Sequence, residues 1–402
     1  MAKVAILGFG TVGSGVAEVL QANGPHISEK VHAPVELKYI LDVRDFPDSP
    51  FADKIIHDFG MIEADPEVDI VVETIGGAKI AREFTERALR AGKSVVTSNK
   101  ELVAEHGFQL MELARANEVS YLYEASVGGG IPIIRPLKQC LAANEIEAIC
   151  GILNGTTNYI LTRMIRSGLS FQEALKEAQA NGYAEADPTA DIEGHDACRK
   201  ICILASLAFG RHIYPSQVPT EGITGVTLAD VAYADSCGRK IKLLGRAIRQ
   251  KDGSLITFVA PHLVDGEDPL AGVEDVFNAI TVKGNATGDV MFYGRGAGKL
   301  PTASAVVADV MEAARTKGRP KYLDWGPGGE DVTVPPDRLK SAWYVRAEAS
   351  AEAIRTAFAA PSFLARAGAP AGETAFLTQP MTRERLEQAL RSLKPKSVFR
   401  VL

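Results

Sequence analysis

"KVAILGFGTVGSGVAEVL", residues 3–20, decides the fold of the first part of the chain. An apolar run, KVAILG, ends at glycines spaced Gly8-Phe9-Gly10-Thr11-Val12-Gly13, and a helical pattern (11–21) opens directly behind them. Strand, glycine turn and helix in that order form the dinucleotide fingerprint. Gly8 permits the tight turn, Gly10 lets the backbone approach a pyrophosphate, and Gly13 allows the helix to pack closely. The anion then lies against the helix N-terminus, where backbone N–H groups converge. A glycine-rich turn with no ligand is the competing reading, and the strand–helix context disfavours it.

Further along, "VELKYILD" reads as a second strand ending at Asp42-Val43-Arg44. An acid there accepts hydrogen bonds from the adenosine ribose and suits NAD, whereas an arginine pairs with the 2′-phosphate of NADP. Both residues are present, so NAD and NADP stay open; Asp42 could equally cap a turn. "DIVVETIGG" and "SVVTSN" continue as strands, with helices predicted over 79–91 and 101–116 before "VSYLYEAS". Short β-rich runs alternating with helices mark a parallel sheet wrapped by helices, the Rossmann-type arrangement.

The rhythm changes after "VGGGIPIIRP". "EIEAICGILNG" reads as a strand, with helices over 157–166, 171–181 and 192–209, the first with a threonine at its cap. Residues 238–293 alternate with period two, as in an antiparallel sheet with one wet face. "SAVVADVMEAAR" is a long helix that can pack back on the first domain. "KGRPKYLDWGPGGEDVTVPP" is rich in Gly and Pro and reads as a linker. Strand, helix, strand, helix, strand then close the sequence. The fold class is α/β throughout: a dinucleotide-binding domain (1–134 with 295–320), an α+β substrate-binding and dimerisation domain (135–294), a linker (321–338) and a small α/β domain (339–402).

With 402 residues, 46% of them hydrophobic, the chain can bury two or three cores. A net charge of -6 argues against nucleic acid or an anionic membrane as partner. "MAKVAILGFG" carries no signal-peptide pattern, and no run approaches the roughly 18 apolar residues of a membrane span. The five cysteines are odd in number and lack CxxC spacing. They read as thiols of a reducing compartment, so the expected location is the cytoplasm.

"NGYAEADPTADIEGHDACRK", residues 181–200, crowds five carboxylates in front of the apolar text "ICILASLAFG". Asp196 and Lys200 stand four apart, on one helix face. Glu185 precedes them, across a loop that Pro188 and Gly194 keep from being helical. A loop carboxylate and a helical Asp–Lys pair can converge on a small polar ligand, with the lysine as proton donor. A solvated ion pair at a helix start explains the same spacing.

This stretch resembles the signature of the homoserine dehydrogenases, matched at Gly182, Glu185, Asp187, Pro188, Asp191, Gly194, Asp196 and Lys200. The likeness extends over roughly the first 320 residues, through "GFGTVGSGV", "TSNKELVAEHG", "YEASVGGGIPII", "GILNGTTNYIL" and "GRGAGKLPTASAVVADV". It implies reversible hydride transfer between NAD(P)H and L-aspartate 4-semialdehyde, giving L-homoserine. By the same likeness Lys200 is the acid/base, and Lys100 is a second lysine near cofactor and substrate. Glu185, Asp196 and Asp191 bind the substrate, while Ser98, Gly182 and Gly298 join the cofactor contacts. A sodium ion is implied at the carbonyls of Glu124, Val127, Gly129 and Ile131, as is a homodimer paired through the antiparallel sheet. His195 reads as a bystander.

Many relatives end in a threonine-binding domain of the ACT type. Residues 339–402 have that alternation but are short, and "AEASAEAIRTAFA" stands where the effector loop belongs. Two other functions answer to parts of this sequence. A phosphorylating semialdehyde dehydrogenase needs a thiolate at a strand–helix turn, and no cysteine has that setting. A nucleotide sensor without catalysis has no use for Lys100 and Lys200 together with Glu185 and Asp196.

Overall fold

The computed structural model describes residues 1–320 and 322–402. The chain opens with β1 (Ala2–Leu7), α1 (Thr11–Ala22), α2 (Gly24–Val31), β2 (Val35–Leu41), β3 (Ile55–Ile56) and α3 (Phe59–Ala64). Next come β4 (Val68–Glu73), α4 (Lys79–Arg90), β5 (Ser94–Thr97), α5 (Lys100–Ala116) and β6 (Tyr121–Leu122). β7 (Ile146–Ile152), α6 (Gly155–Ser167), α7 (Phe171–Ala180), α8 (Thr189–Ile192), α9 (His195–Phe209) and α10 (Leu228–Ser236) follow. Then come β8 (Arg239–Arg249), β9 (Leu255–Asp265), β10 (Phe277–Gly284), β11 (Gly288–Arg295) and α11 (Lys299–Arg315). The last stretch holds β12 (Trp343–Glu348), α12 (Ala351–Ala357), β13 (Ser362–Leu364), β14 (Glu373–Leu377), α13 (Arg383–Leu390) and β15 (Lys394–Val401).

By compactness the chain divides into two units. One comprises Met1–Glu145, Cys202–Pro215 and Gly294–Gly329; the other comprises Ile146–Ile201, Ser216–Tyr293 and Glu330–Leu402.

In the first unit a six-stranded sheet runs β3-β2-β1-β4-β5-β6, with parallel pairings. This is the strand order of a dinucleotide-binding sheet, reversing direction between β1 and β4. Val4, Ile6, Val71 and Val72 are fully buried, as strands covered on both faces require. α11 packs along α1, where Gly15 lacks the Cβ that would meet Lys299 and Ala303 at 3.0 and 3.1 Å.

The linker expected from Lys321 onward is not a linker over 322–329 (Lys321 itself lies outside the described residues). Leu323 and Trp325 are buried. The Trp325 indole donates to His212 Nδ1 at 2.8 Å, and the Tyr123 hydroxyl donates to the Leu323 carbonyl. Gly and Pro suggested a spacer, but one buried tryptophan outweighs them, because it removes so much apolar surface from water.

The second unit contains a nine-stranded sheet, β11-β10-β7-β8-β9-β15-β12-β14-β13. β10, β7, β8 and β9 pair antiparallel, as the period-two pattern predicts. β12, β14, β13 and β15 form the βαββαβ order of a ferredoxin-like module around Trp343, Val345, Phe358 and Phe376. Its last strand pairs with β9 in parallel, matching Arg400 to His262 and Val401 to Leu263. Residues 339–402, expected as a domain of their own, therefore belong to the larger unit. Asp230 of α10 strengthens the join, accepting from Tyr344 Oη (2.9 Å), Arg346 Nε (2.8 Å) and Ser397 Oγ (3.0 Å) while fully buried.

Two helix boundaries differ from expectation. The helix expected over 192–209 is α9, which starts at His195, because Gly194 takes φ +83° and separates it from α8, which ends at Ile192. α6 is capped by Asn154 rather than a threonine, its side chain accepting the Thr157 N–H at 2.8 Å.

Candidate active site

The nucleotide turn is built at the point where the parallel sheet changes direction. Gly8 has φ +89°, and a Cβ there would sit 3.0 Å from the Thr74 carbonyl after β4. A Cβ on Gly13 would lie 1.9 Å from the Gly8 carbonyl, so only glycine lets α1 start this close to β1. Gly10 faces open space on its Cβ side. It stands at the N-cap of α1 with no side-chain cap, as an approaching anion requires. The cradle fits a dinucleotide pyrophosphate.

Asp42 follows β2. Its carboxylate accepts the Phe9 N–H at 2.8 Å, the Arg44 N–H at 3.0 Å and the Arg44 guanidinium at 3.1 Å. Burial pushes this carboxyl up, but the Arg44 and Phe9 hydrogen bonds outweigh it and hold it below the usual range. Asp42 therefore caps its own turn and pairs with Arg44. The Arg44 side chain is 62% exposed and lies over Phe46.

Ser98 and Lys100 flank Asn99, the cap of α5. Asn99 accepts from Leu102 N–H and donates to the Ile75 and Gly77 carbonyls at 3.1 and 2.8 Å, clamping the loop after β4. Glu73 beneath accepts from Thr97 Oγ1 (2.6 Å) and the Ile75 N–H (2.7 Å); burial lifts its carboxyl to about 7. Gly298, at φ +125°, is the N-cap of α11.

The loop 124–131 lies in this unit too. The Glu124 carboxylate is taken up by the N–H groups of Ile133, Ile134 and Arg135 and by the Arg135 guanidinium. Among the described residues no donor is assigned to the main-chain carbonyls of Glu124, Val127, Gly129 and Ile131. Glu124, Val127 and Ile131 are buried, and Gly128 and Gly129 take φ +76° and +55°. Buried carbonyls without donors in a glycine curl fit a hard monovalent cation.

The second unit brings together Lys200, Asp196, Asp191 and Asn154. Lys200, 8% exposed, donates from Nζ to Asp196 Oδ2 at 2.7 Å and to the Leu153 carbonyl at 2.8 Å. Asn154 Nδ2 bridges Asp196 Oδ2 at 2.8 Å and Asp191 Oδ1 at 2.7 Å. Burial and the Asp196 charge raise the Asp191 carboxyl, against the hydrogen bonds from Asn154 and Thr156 and the Lys200 charge. Asn154 opens the stretch 154–161, which the sequence places along the substrate cavity; the Leu153 carbonyl, one residue before it, carries no signal of its own. β8 underlies the group, Gly245 being hemmed in by Leu153 and Ile201.

Glu185 is not in this cluster. It is exposed, and among the described residues its main-chain carbonyl accepts from Gln179 Nε2 at 3.1 Å. Gly182 is likewise exposed, at φ +72° with open space where a Cβ would point. His195 is exposed. No helix among the described residues is long and apolar enough to cross a membrane.

A parallel sheet with a glycine cradle at its switch point, and a buried lysine held by a carboxylate and a main-chain carbonyl, define a nicotinamide-nucleotide-dependent oxidoreductase. The family model described as "Homoserine dehydrogenase" matches residues 132–311, and "Homoserine dehydrogenase, NAD binding domain" matches 8–124. The homoserine dehydrogenase of Pseudomonas aeruginosa is 42% identical over 86% of this chain and 82% of its own. The crystal structure of a homoserine dehydrogenase from Thiobacillus denitrificans superposes with a TM-score of 0.90 at 35% identity, over 100% of this chain and 98% of that one. A hyperthermophilic archaeal homoserine dehydrogenase in complex with NADPH matches at a TM-score of 0.65 and 27% identity, over 78% and 97%. The chain belongs to the homoserine dehydrogenase family. It is an NAD(P)-dependent oxidoreductase acting on a CH–OH group, and interconverts L-aspartate 4-semialdehyde and L-homoserine.

Proposed function

We propose that Lys200 is the acid/base of this reaction. In the reducing direction its Nζ gives a proton to the C4 oxygen of the semialdehyde, and in the oxidising direction it takes one from the homoserine hydroxyl. The bound nicotinamide supplies or accepts the hydride. The carrying observation is the pair of hydrogen bonds at 2.7 and 2.8 Å that fix Lys200 between Asp196 and the Leu153 carbonyl. An ammonium so held, in a site nearly closed to water, stabilises a developing alkoxide strongly. Asp196 and Asp191 bind the substrate, and Glu185 supplies an exposed carboxylate for its ammonium. Lys100 is the second ammonium of the reaction, a role that rests on the family resemblance alone.

NADP(H) is the preferred cofactor in this reading. The Asp42 carboxylate is spent on Phe9 and Arg44, while the Arg44 guanidinium stays largely exposed for a 2′-phosphate. Gly182 and Gly298 complete the cofactor contacts. Sodium sits on the carbonyls of Glu124, Val127, Gly129 and Ile131 as a structural ion. The enzyme forms a homodimer through the nine-stranded sheet, whose edge strand β11 leaves Tyr293 55% exposed. Its reaction serves threonine and methionine biosynthesis in the cytoplasm.

One assay tests the core of this. Nicotinamide reduction is followed spectrophotometrically with L-homoserine, using NAD and NADP in turn, for the parent and for Lys200→Ala. Turnover should fall by about 100-fold or more in the variant, with cofactor affinity unchanged. Near-parental turnover removes Lys200 as proton carrier; higher kcat/KM with NAD than NADP removes the role given to Arg44.

A further inference from the structure

β4 runs through the buried residues Ile70, Val71 and Val72 and then ends on a carboxylate, Glu73, that is 0% exposed. Burial lifts that carboxyl from 4.5 to about 7, against the hydrogen bonds it accepts. A leucine would fill the same place with no polar group to desolvate. Groups perturbed this strongly gather at functional sites. Neither the glycine cradle nor the Lys200 cluster uses Glu73.

Its place in the sheet is central. Glu73 pairs with Leu7 of β1, directly before the glycine turn, and with Thr97 of β5, directly before Ser98-Asn99-Lys100. Oε1 accepts the Ile75 N–H at 2.7 Å, and Oε2 accepts the Thr97 hydroxyl at 2.6 Å. Thr97 Oγ1 in turn accepts the Asn99 N–H at 2.9 Å. Asn99 closes the circuit, donating from Nδ2 to the Ile75 and Gly77 carbonyls. Two segments, 74–77 and 97–100, are thus tied to one buried carboxyl. Beside it, the Thr74 hydroxyl reaches the Leu7 and Gly8 carbonyls at 2.9 Å each, so the same post stands next to the glycine turn.

The segment 74–77 brings little packing of its own. Gly76 and Gly77 are exposed, with open space where a Cβ would point. Hydrogen bonds from Glu73 and Asn99 therefore decide where it lies. In a sheet of this order a dinucleotide crosses the carboxyl ends of the strands, its pyrophosphate at the first glycine turn and its adenosine ribose at the end of β2. The nicotinamide half falls to the other side, at the ends of β4 and β5, where the two tied segments emerge.

We propose that Glu73 is a positioning residue for the hydride transfer: through Ile75 and Thr97 it fixes segments 74–77 and 97–100 against each other, and so shapes the bed for the nicotinamide half of the cofactor. Being fully buried, it acts through those segments and not by contact with a reactant. A misplacement of about 1 Å costs about 100-fold in rate, so a residue beneath the bed governs turnover from there.

Calorimetric titrations of the full-length protein with NADPH, and with ADP-ribose 2′-phosphate (NADP without its nicotinamide), isolate the effect on that half. Glu73→Leu removes both hydrogen bonds. It should weaken NADPH about tenfold and leave ADP-ribose 2′-phosphate within about twofold. Its kcat with L-homoserine should fall about 100-fold, with the KM for L-homoserine unchanged. Glu73→Gln keeps an acceptor for Ile75 and a hydrogen bond with Thr97, so it should stay within about threefold of the parent in every measurement. Thr97→Val, a near-isostere that breaks the Thr97 link alone, should show the same split in smaller measure, and it carries the decision should Glu73→Leu not fold. A merely structural role would weaken both ligands alike. The proposal is overturned by that outcome, by parental NADPH affinity and turnover in the Leu and Val variants, or by a Gln variant as impaired as Leu. The titrations need no turnover, so they decide the matter whichever residue carries the proton.

Discussion

Asn154 holds three things at once, so removing its amide separates bridge from cap. In Asn154→Ala the helix loses its cap, worth about 1 kcal/mol. Two hydrogen bonds to carboxylates vanish as well, at about 1.5–3 kcal/mol each. Because Asp191 and Asp196 share the donor, these terms overlap, and a loss of about 3–5 kcal/mol is the expected total. A domain of ordinary stability, about 5–15 kcal/mol, survives that. Urea denaturation followed by far-UV circular dichroism measures it, with Asn154→Ser as the control that restores the cap but cannot span both acids. Ser should recover only about 1 kcal/mol. The kinetic consequence has a definite sign. Burial and Asp196 already raise the Asp191 carboxyl, and the Asn154 hydrogen bond opposes them. Without it the Asp191 pKa climbs further, and the acidic limb of the kcat/KM profile moves to higher pH. An Asn154→Ala enzyme within about 0.5 kcal/mol of the parent, with an unmoved acidic limb, refutes the bridge.

Gly13→Ala places a methyl 1.9 Å from the Gly8 carbonyl and must displace the turn; NADPH affinity by fluorescence titration should drop at least about tenfold, about 1.4 kcal/mol, and unchanged affinity refutes the cradle. His212 is fully buried, with Nε2 against the Ala104 carbonyl and Nδ1 accepting from Trp325. Burial lowers its pKa from 6.5 to about 4, so it is neutral in the fold. Its stabilisation is complete above the unfolded value and is lost as pH falls through the folded one, about 2 kcal/mol between pH 7 and 5. His212→Gln should flatten that slope in urea titrations at the two pH values, and an undiminished slope assigns it elsewhere. Glu185→Ala should raise the KM for L-homoserine and leave the urea midpoint unmoved, since the residue is exposed; an unchanged KM removes its binding role.

The first sheet was readable because its signals are local. Apolar runs of strand length, a glycine turn and helical periodicity all fall within a few residues of one another, and strand order follows from right-handed crossovers. The Asp196–Lys200 pair was readable for the same reason, since one helical turn fixes it. What the sequence hid depends on distance along the chain. Trp325 finds His212, more than a hundred residues away, and turns a Gly/Pro-rich stretch into core. Asn154 meets Asp191 and Asp196 only once β7 and α9 lie together. β13 is too short to carry a pattern, with three residues. The parallel pairing of β15 with β9 rests on two residue pairs that no periodicity marks.

The nucleotide-binding unit is assembled from three separate stretches of chain, with Cys202–Pro215 and Gly294–Gly329 completing what Met1–Glu145 begins. Closing it means bringing α11 back across nearly three hundred residues to lie on α1, an entropic demand that grows only slowly with length but delays the final docking. A polypeptide cut after Glu145 would carry the whole glycine fingerprint and still leave the Gly15–Val16 side of α1 bare to water. Such a fragment should be sticky and poor at holding nucleotide, so this half of the molecule can be inherited, swapped or engineered only together with the segments that interrupt it.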